Sequence, residues 1–331
     1  MVTIKNIADL AGVSKTTVSK VLNNKDQKIS EATRQKILDI VKETNYIPNK
    51  MAQSLVTKKT KTLGLIIPDI RNPFFTDIAR GAEDKAVKEG YNIILCNTDE
   101  NINKEIQSLN TLVEKMVDGI IFAPSSKTDL NSTRFKTSTK PIVLVDKELN
   151  IANVKGIVSL DNEEGTYLGV KYLIEKNHKK ILYLSGPLTN EISRNRLEGY
   201  KRALEEANIA YDEKLIIQGE YSLDWGYEVI KNMAEIDFTA ICAANDLIAI
   251  GAVKALKERN LHIPKDISVV GFDDIQTSRI IEPQLTTIKQ NSYDMGYEAA
   301  NILINYLEDS EINNIEKIIF KPELIIRNST N

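Results

Sequence analysis

Cysteine and histidine are nearly absent from these 331 residues, with two of each: Cys96, Cys242, His178 and His262. Each cysteine lies inside an apolar run, NIILCNT or AICAAND, so the thiols read as small buried hydrophobes in a reducing compartment and not as a disulfide framework. With so few thiolate or imidazole ligands, no grouping resembles a metal site. Also missing is any apolar span of 18 residues, and MVTIKNIADL carries no long apolar segment of the signal-peptide kind. Neither membrane insertion nor secretion is expected, which assigns the chain to the cytoplasm. Enzyme signatures are lacking too: there is no G-x-S-x-G elbow, Walker loop or Gly-rich dinucleotide fingerprint at a first strand–helix turn. The adjacent carboxylates Asp273 and Asp274 could be imagined as an acid and a base, but nothing else supports hydrolysis. We expect no catalysis and no cofactor.

What is present suffices for two or three domains of ordinary folded composition, 42% hydrophobic and 27% charged. The net charge of −3 conceals an asymmetry. Residues 1–60 carry 11 Lys and Arg against 5 Asp and Glu, whereas the other 271 carry 32 against 41. A basic head on an acidic body suggests that the head alone faces a polyanion.

Within the head, Thr3 is an N-cap for a helix with Ile4, Ile7, Ala8 and Ala11 on one face. Gly12 follows where a left-handed residue would turn the chain. Ser14 then caps a second helix, Lys15 to about Leu22. Val18, Val21 and Leu22 fall on one side of it, and Lys15, Thr16, Ser19 and Lys20 on the other. Apolar contacts would hold such a helix while short donors and positive charge face a major groove. A third helix begins at Ser30 and carries Ile37, Val41 and Thr44 inward.

The strings TIKNIADLAGVSKTTVSKVLN and SEATRQKILDIVKETNYIPN closely resemble the N-terminal domain of the LacI/GalR (lactose-repressor) family. By that resemblance Lys15 and Thr16 occupy base-reading positions, with Lys20 beside them. Thr3, Ser14, Thr17, Ser19, Asn23 and Ser30 match phosphate-contacting positions. The stretch from Asn23 to Ser30 (NNKDQKIS) is one residue longer than is common in the family.

Pro48 is expected to end the preceding helix. The next segment, Lys50 to Val56, could form barely two helical turns, too few to be stable alone in water. On its residues alone it could also be a plain polar linker. The resemblance implies a hinge helix that folds when two copies meet in the minor groove. There Leu55 matches an apolar wedge at a central base step, Ala52 the close-packing position, and Asn49 the start of the DNA-binding hinge.

From Thr62 onward apolar runs alternate with helical segments: 63–70, 92–97, 119–125 and 141–146, then 181–186, 215–221, 240–246 and 267–274. Such runs predict parallel sheets covered on both faces, arranged as two α/β lobes. TTIKQ (286–290) and the terminal IIFKPELIIR would add crossovers or edge strands. The expected division is a helix-turn-helix domain at 1–48, a hinge at 49–60 and a two-lobed effector-binding and dimerisation domain at 61–331. Ligands of such folds bind at the carboxyl ends of strands, here between the lobes.

Polar and aromatic residues stand at those ends, although an Asp or Asn after a strand is often only a helix cap, as Asp161 and Asp246 could be. The body resembles periplasmic sugar-binding proteins of the ribose type, most visibly in NPFFTDIARGAED at 72–84. Asn72, Phe74, Phe75, Asp146, Arg194, Tyr221, Asn245, Asp273 and Gln290 match sugar-contacting positions there or in the repressors. Lys147 and Arg194, with Arg71 nearby, leave room for a sugar acid or sugar phosphate beside a neutral sugar; Lys147 and Arg71 could equally be solvated.

The resemblance implies a ligand-responsive regulator that binds a pseudo-palindromic double-stranded operator as a homodimer. A transport binding protein is disfavoured by the basic head. Control by a phosphorylated carrier protein is disfavoured as well. YDMG at 293–296 resembles that branch, but Asn301 and Asn305 replace its phosphoserine-binding arginine and a nearby lysine.

Overall fold

A computed structural model describes residues 2–23, 26–46, 59–128, 139–309 and 314–331. The chain divides into two compact units, Met1–Thr60 and Lys61–Asn331. The hinge positions Asn49, Ala52 and Leu55 lie outside the described residues.

Among its described residues the first unit holds three helices: α1 Ile4–Ala11, α2 Lys15–Leu22 and α3 Glu31–Glu43. Ile7, Ala8, Ala11, Val18, Val21 and Ile37 form its buried core. Gly12, at φ 71°, lets Val13 N–H reach back to the Ala8 carbonyl at 3.0 Å, closing α1 and reversing the chain into α2. The end of α3 departs from expectation. It stops at Glu43, with Asn45 left-handed at φ 47° and Tyr46 N–H on the Val41 carbonyl at 3.0 Å, so a local cap ends the helix before Pro48 is reached.

The second unit is built from two six-stranded sheets. The first has the order β11-β5-β4-β3-β1-β2, all parallel: β1 Thr62–Ile67, β2 Asn92–Asn97, β3 Gly119–Phe122, β4 Ile142–Val145, β5 Val154–Leu160 and β11 Glu316–Phe320. The second has the order β12-β10-β9-β8-β6-β7: β6 Ile181–Ser185, β7 Ile216–Gln218, β8 Ala240–Ala243, β9 Ser268–Asp273, β10 Thr286–Lys289 and β12 Glu323–Ile325. Only β12, antiparallel to β10, breaks its parallel run. Helices α4 Pro73–Lys88, α5 Ile102–Glu114 and α10 Ser292–Glu308 accompany the first sheet. The second has α6 Asn162–Glu175, α7 Glu191–Glu206, α8 Leu223–Lys231 and α9 Asp246–Glu258.

Eight of these strands coincide with the apolar runs of the sequence; β5 does not. Its VKGIVSL mixes Lys and Gly into the run, and pairing with β4 and β11 makes it a strand. Strand β2 lies at a sheet edge, and its Ile94 and Leu95 are 36% and 41% exposed, unlike the doubly covered strands beside it. Cys242 is buried as expected, whereas Cys96, on that same edge strand, is only partly covered.

The chain passes between the lobes three times, after β5, after β10 and between β11 and β12. Leu160, Phe272 and Ile288 form a small apolar cluster there. Among the described residues no helix is long and apolar enough to cross a membrane.

Candidate functional site

In the head, all three helices open on a hydroxyl cap. Thr3 Oγ1 accepts from Asn6 N–H at 3.4 Å while Asn6 Oδ1 accepts from Thr3 N–H at 3.0 Å. Ser14 Oγ accepts from Thr17 N–H at 3.1 Å, and Ser30 Oγ from Thr33 N–H at 3.3 Å. Each cap satisfies one orphan donor and leaves a positively polarised helix end open to solvent. On α2, Lys15, Thr16 and Lys20 are exposed, Thr17 and Ser19 are half-buried, and Val18 and Val21 are buried beneath them. Asn23 ends this face, its Nδ2 donating to the Ser19 carbonyl at 2.8 Å.

In the second unit a cavity of about 790 Å³ opens between the lobes at the carboxyl ends of the strands. From the first lobe Asn72, Phe74, Phe75 and Asp146 line it; from the second come Tyr221, Asn245, Asp273 and Gln290. The lobes contribute equivalent positions. Asn72 and Asn190 cap the helices that follow β1 and β6. Asp146 and Asp273 stand where β4 and β9 end, both with positive φ, 72° and 123°. Non-glycine residues held this way carry strain of order 1–3 kcal/mol, which concentrates at functional positions. The Phe74 and Phe75 rings meet edge to face at 5.0 Å.

Two expected residues do not reach the cavity. Arg194 is exposed, and its Nη1 donates to the Leu188 and Thr189 carbonyls at 3.2 and 2.8 Å. Arg196 lines the cleft instead: only 3% exposed, it donates from Nε to Asn162 Oδ1 at 2.8 Å and from Nη1 to the Ala244 carbonyl. Its guanidinium lies 3.7 Å from the centre of the Phe272 ring. Helical phase carried this signal, because Arg196 shares a face with Ile192, Ser193, Leu197 and Tyr200 while Arg194 lies outside it.

Lys147 is also turned away. Its buried ammonium donates to the Thr128 and Ser125 carbonyls at 2.8 and 3.4 Å, near the buried Glu105 that accepts from Ser125 N–H. Arg71 does line the cavity, already paired with Asp69 at 2.8 Å. Of the two aspartates read as possible caps, Asp161 is one, accepting from Glu164 N–H at 3.0 Å. Asp246 is not: Asn245 caps α9, and the fully buried Asp246 carboxylate accepts from Ile275 N–H, Ser278 Oγ and Thr287 Oγ1 at 2.9, 2.7 and 2.5 Å. It anchors the loop after β9 beneath the cleft.

Burial dominates the electrostatics. It pushes the Asp146 carboxyl up to about 6, against the opposing pull of Arg196 and Lys147. Asp273 is raised well above the carboxylate range by burial, again with Arg196 opposing, and Gln290 Nε2 donates to its Oδ1 at 2.6 Å. Two buried acceptors in the cleft, Asp146 Oδ1 and Gln290 Oε1, have no partner. A buried oxygen without a donor costs roughly 1–3 kcal/mol, so these atoms call for a ligand that donates.

A helix-turn-helix head joined to a two-lobed clamp defines a ligand-controlled DNA-binding regulator, and the comparisons agree. Residues 3–49 match the description "Bacterial regulatory proteins, lacI family", and residues 170–330 the "Periplasmic binding protein-like domain". The chain is 41% identical over 335 residues to the HTH-type transcriptional regulator RegA of Clostridium saccharobutylicum, covering 99% of this chain and 98% of that one. It is 38% identical over 314 residues to Catabolite control protein A of Priestia megaterium, covering 94% of each. The lac repressor dimer bound to operator and the anti-inducer ONPF superposes with a TM-score of 0.87 at 28% identity, over 99% of both chains. The chain belongs to the lacI family of bacterial regulatory proteins and is a transcriptional regulator, not an enzyme.

Proposed function

We propose that the protein represses transcription as a homodimer on a pseudo-palindromic operator, and that a small sugar-type effector bound between its lobes releases it. The cleft reading is carried by the two unpartnered buried acceptors, Asp146 Oδ1 and Gln290 Oε1, beside the Phe74–Phe75 pair. Hydroxyl groups supply the missing donors, and aromatic faces cover the apolar side of a sugar ring. Asn72, Tyr221, Asn245 and Asp273 complete the proposed contact set, with Arg196 in the role first given to Arg194. No cofactor enters the proposal.

Operator binding would place α2 in the major groove, with Lys15 and Thr16 at base edges and Lys20 beside them. Thr3, Ser14, Thr17, Ser19, Asn23 and Ser30 would bind phosphates, for which the capped helix ends are suited. The hinge residues Asn49, Ala52 and Leu55 would enter the minor groove. The exposed Ile70, Ile94 and Leu95 along the β2 edge support burial against a second copy. Effector and operator then compete through two states of that dimer. A phosphocarrier co-repressor is left out because Asn301 and Asn305 supply no cation for a phosphoserine.

The decisive experiment is a melting screen with pentoses, hexoses and their derivatives, followed by operator release. A ligand at a hundred times its Kd adds about 2.7 kcal/mol of stability. A hit that stabilises the protein but leaves operator affinity unchanged refutes the coupling.

A further inference from the structure

The cleft is charged in one sense. Of the described residues that line it, eight carry carboxyl groups, two of which (Asp146 and Asp273) are pushed up in pKa by burial, and three carry cations. One of those cations is already ion-paired, a second is held by neutral groups, and the third, Lys127, is exposed at the cleft. Arg71 donates from Nε and Nη2 to the Asp69 carboxylate at 3.0 and 2.8 Å, and Arg196 is held by Asn162, the Ala244 carbonyl and the Phe272 face. At the mouth, the segment from β7 into α8 sets the exposed Glu220, Asp224 and Glu228 around Trp225. Glu220 and Asp224 form no side-chain hydrogen bond or ion pair with any described residue. The indole of Trp225 rests on Gly219, where an added Cβ would come within 1.9 Å of the ring, so only glycine lets it lie there. Deeper in, Gln290 is 4% exposed and its Oε1 is unpartnered. The cavity therefore offers buried acceptors behind an acidic rim.

We propose that this rim is a charge filter: it admits uncharged and amine-bearing sugars and turns away sugar phosphates and sugar acids. The inference rests on the sugar-effector reading above and narrows it. An anion approaching the mouth meets the exposed carboxylates of Glu220, Asp224 and Glu228, which outnumber the nearby Arg71 and Lys127, and inside it finds the unpartnered acceptors Asp146 Oδ1 and Gln290 Oε1 where it needs donors. An ammonium group meets the same carboxylates and the Trp225 face favourably. The rim residues act on selectivity from the mouth, leaving the ring contacts to the residues beneath.

Trp225 is the single tryptophan of the chain, so its fluorescence reports the mouth without any effector in hand. The full-length protein is quenched with iodide, caesium and acrylamide, and again as the E220Q/D224N/E228Q variant. A local potential of about one kT depletes a monovalent anion roughly threefold, so iodide should quench about threefold less than it does in the variant at low salt. Caesium should change in the opposite sense, and both effects should shrink at 0.5 M salt, where the Debye length falls to about 4 Å. If the variant does not fold, the ratio of iodide to caesium quenching in the native protein, against a free indole standard, decides instead. In parallel, each neutral sugar is compared by melting shift with its amino, uronic acid and phosphate counterparts. The filter is overturned if iodide quenches as freely as the standard predicts, or if a phosphate or acid outbinds its parent sugar. If quenching is asymmetric but no sugar of any charge shifts melting, the filter stands and the sugar-effector reading falls.

Discussion

Replacing Arg196 by methionine should cost the two-lobed unit about 3–5 kcal/mol, the usual penalty for removing one partner from a buried charged network. The side chain supplies a 2.8 Å bond to Asn162, a bond to the Ala244 carbonyl and a cation over Phe272. It is also the charge that most strongly opposes the rise in the Asp146 and Asp273 carboxyl pKa values. Methionine keeps some contact with the ring, which favours the lower end of the range. With an unfolding entropy of roughly 2.1 cal/mol/K per residue over some 270 residues, the midpoint should fall by about 5–9 °C in calorimetry at pH 7.5. The deficit should also depend on pH. Both carboxyls titrate higher in the folded state than in the unfolded chain, so their destabilising charge disappears as pH falls through the folded values. Without Arg196 those values rise further, and the gap to the native protein should narrow at pH 5.5. Arg194→Met is the control, because its guanidinium is exposed and bonds only to carbonyls just before its own helix. A drop under about 1 °C, a gap indifferent to pH, or an equal effect of Arg194→Met would refute the reasoning.

The native protein carries its own pH signature: with Asp146 raised to about 6 and the buried Asp246 and Asp273 carboxyls raised as well, all by burial, stability should decline as pH rises from about 4 through neutrality, in calorimetry across that range. Ser14→Ala removes the cap on Thr17 N–H and should cost the head about 1 kcal/mol, seen as an earlier loss of helical circular dichroism; an unchanged melt contradicts the capping role. Lys15→Ala should relax base preference by roughly 1–3 kcal/mol in competition binding, whereas uniform weakening on all sequences would make Lys15 a phosphate contact. Leu55→Ala should weaken operator binding far more than binding to random DNA, and equal losses would remove the wedge from the proposal.

Much of the head was legible because its rules are local. The Thr3, Ser14 and Ser30 caps, the Gly12 turn and the i, i+3, i+4 spacing of Ile7, Ala8 and Ala11 each span only a few residues. The buried strands were legible for a related reason: runs such as LGLII and SVVGF suit only a doubly covered parallel sheet. Strand β5 was missed because its neighbours, not its composition, make it a strand.

The cleft divides along the same line. Asn72, Phe74, Phe75, Asp146, Tyr221, Asn245, Asp273 and Gln290 follow strand ends, so strand position alone brought them to one place. The choice between Arg194 and Arg196 needed the phase of α7, and the orientation of Lys147 needed the Ser125–Thr128 loop folded over it. Asp246 looked like a cap by its place after a strand, yet its three donors come from residues 29 to 41 positions away. The acidic excess of the whole cleft belongs to the same class, because carboxyl residues scattered from 69 to 273 gather only when the lobes face each other, whereas the rim around Trp225 comes from the single segment 220–228. By itself the sequence determined most of the helices and the doubly covered strands, and that a basic head precedes an acidic clamp, since caps, turns and hydrophobic period act within a few residues. Tertiary structure alone decided which of two neighbouring charges faces the cavity and which buried oxygens lack a donor, because both depend on atoms distant along the chain meeting within about 3 Å.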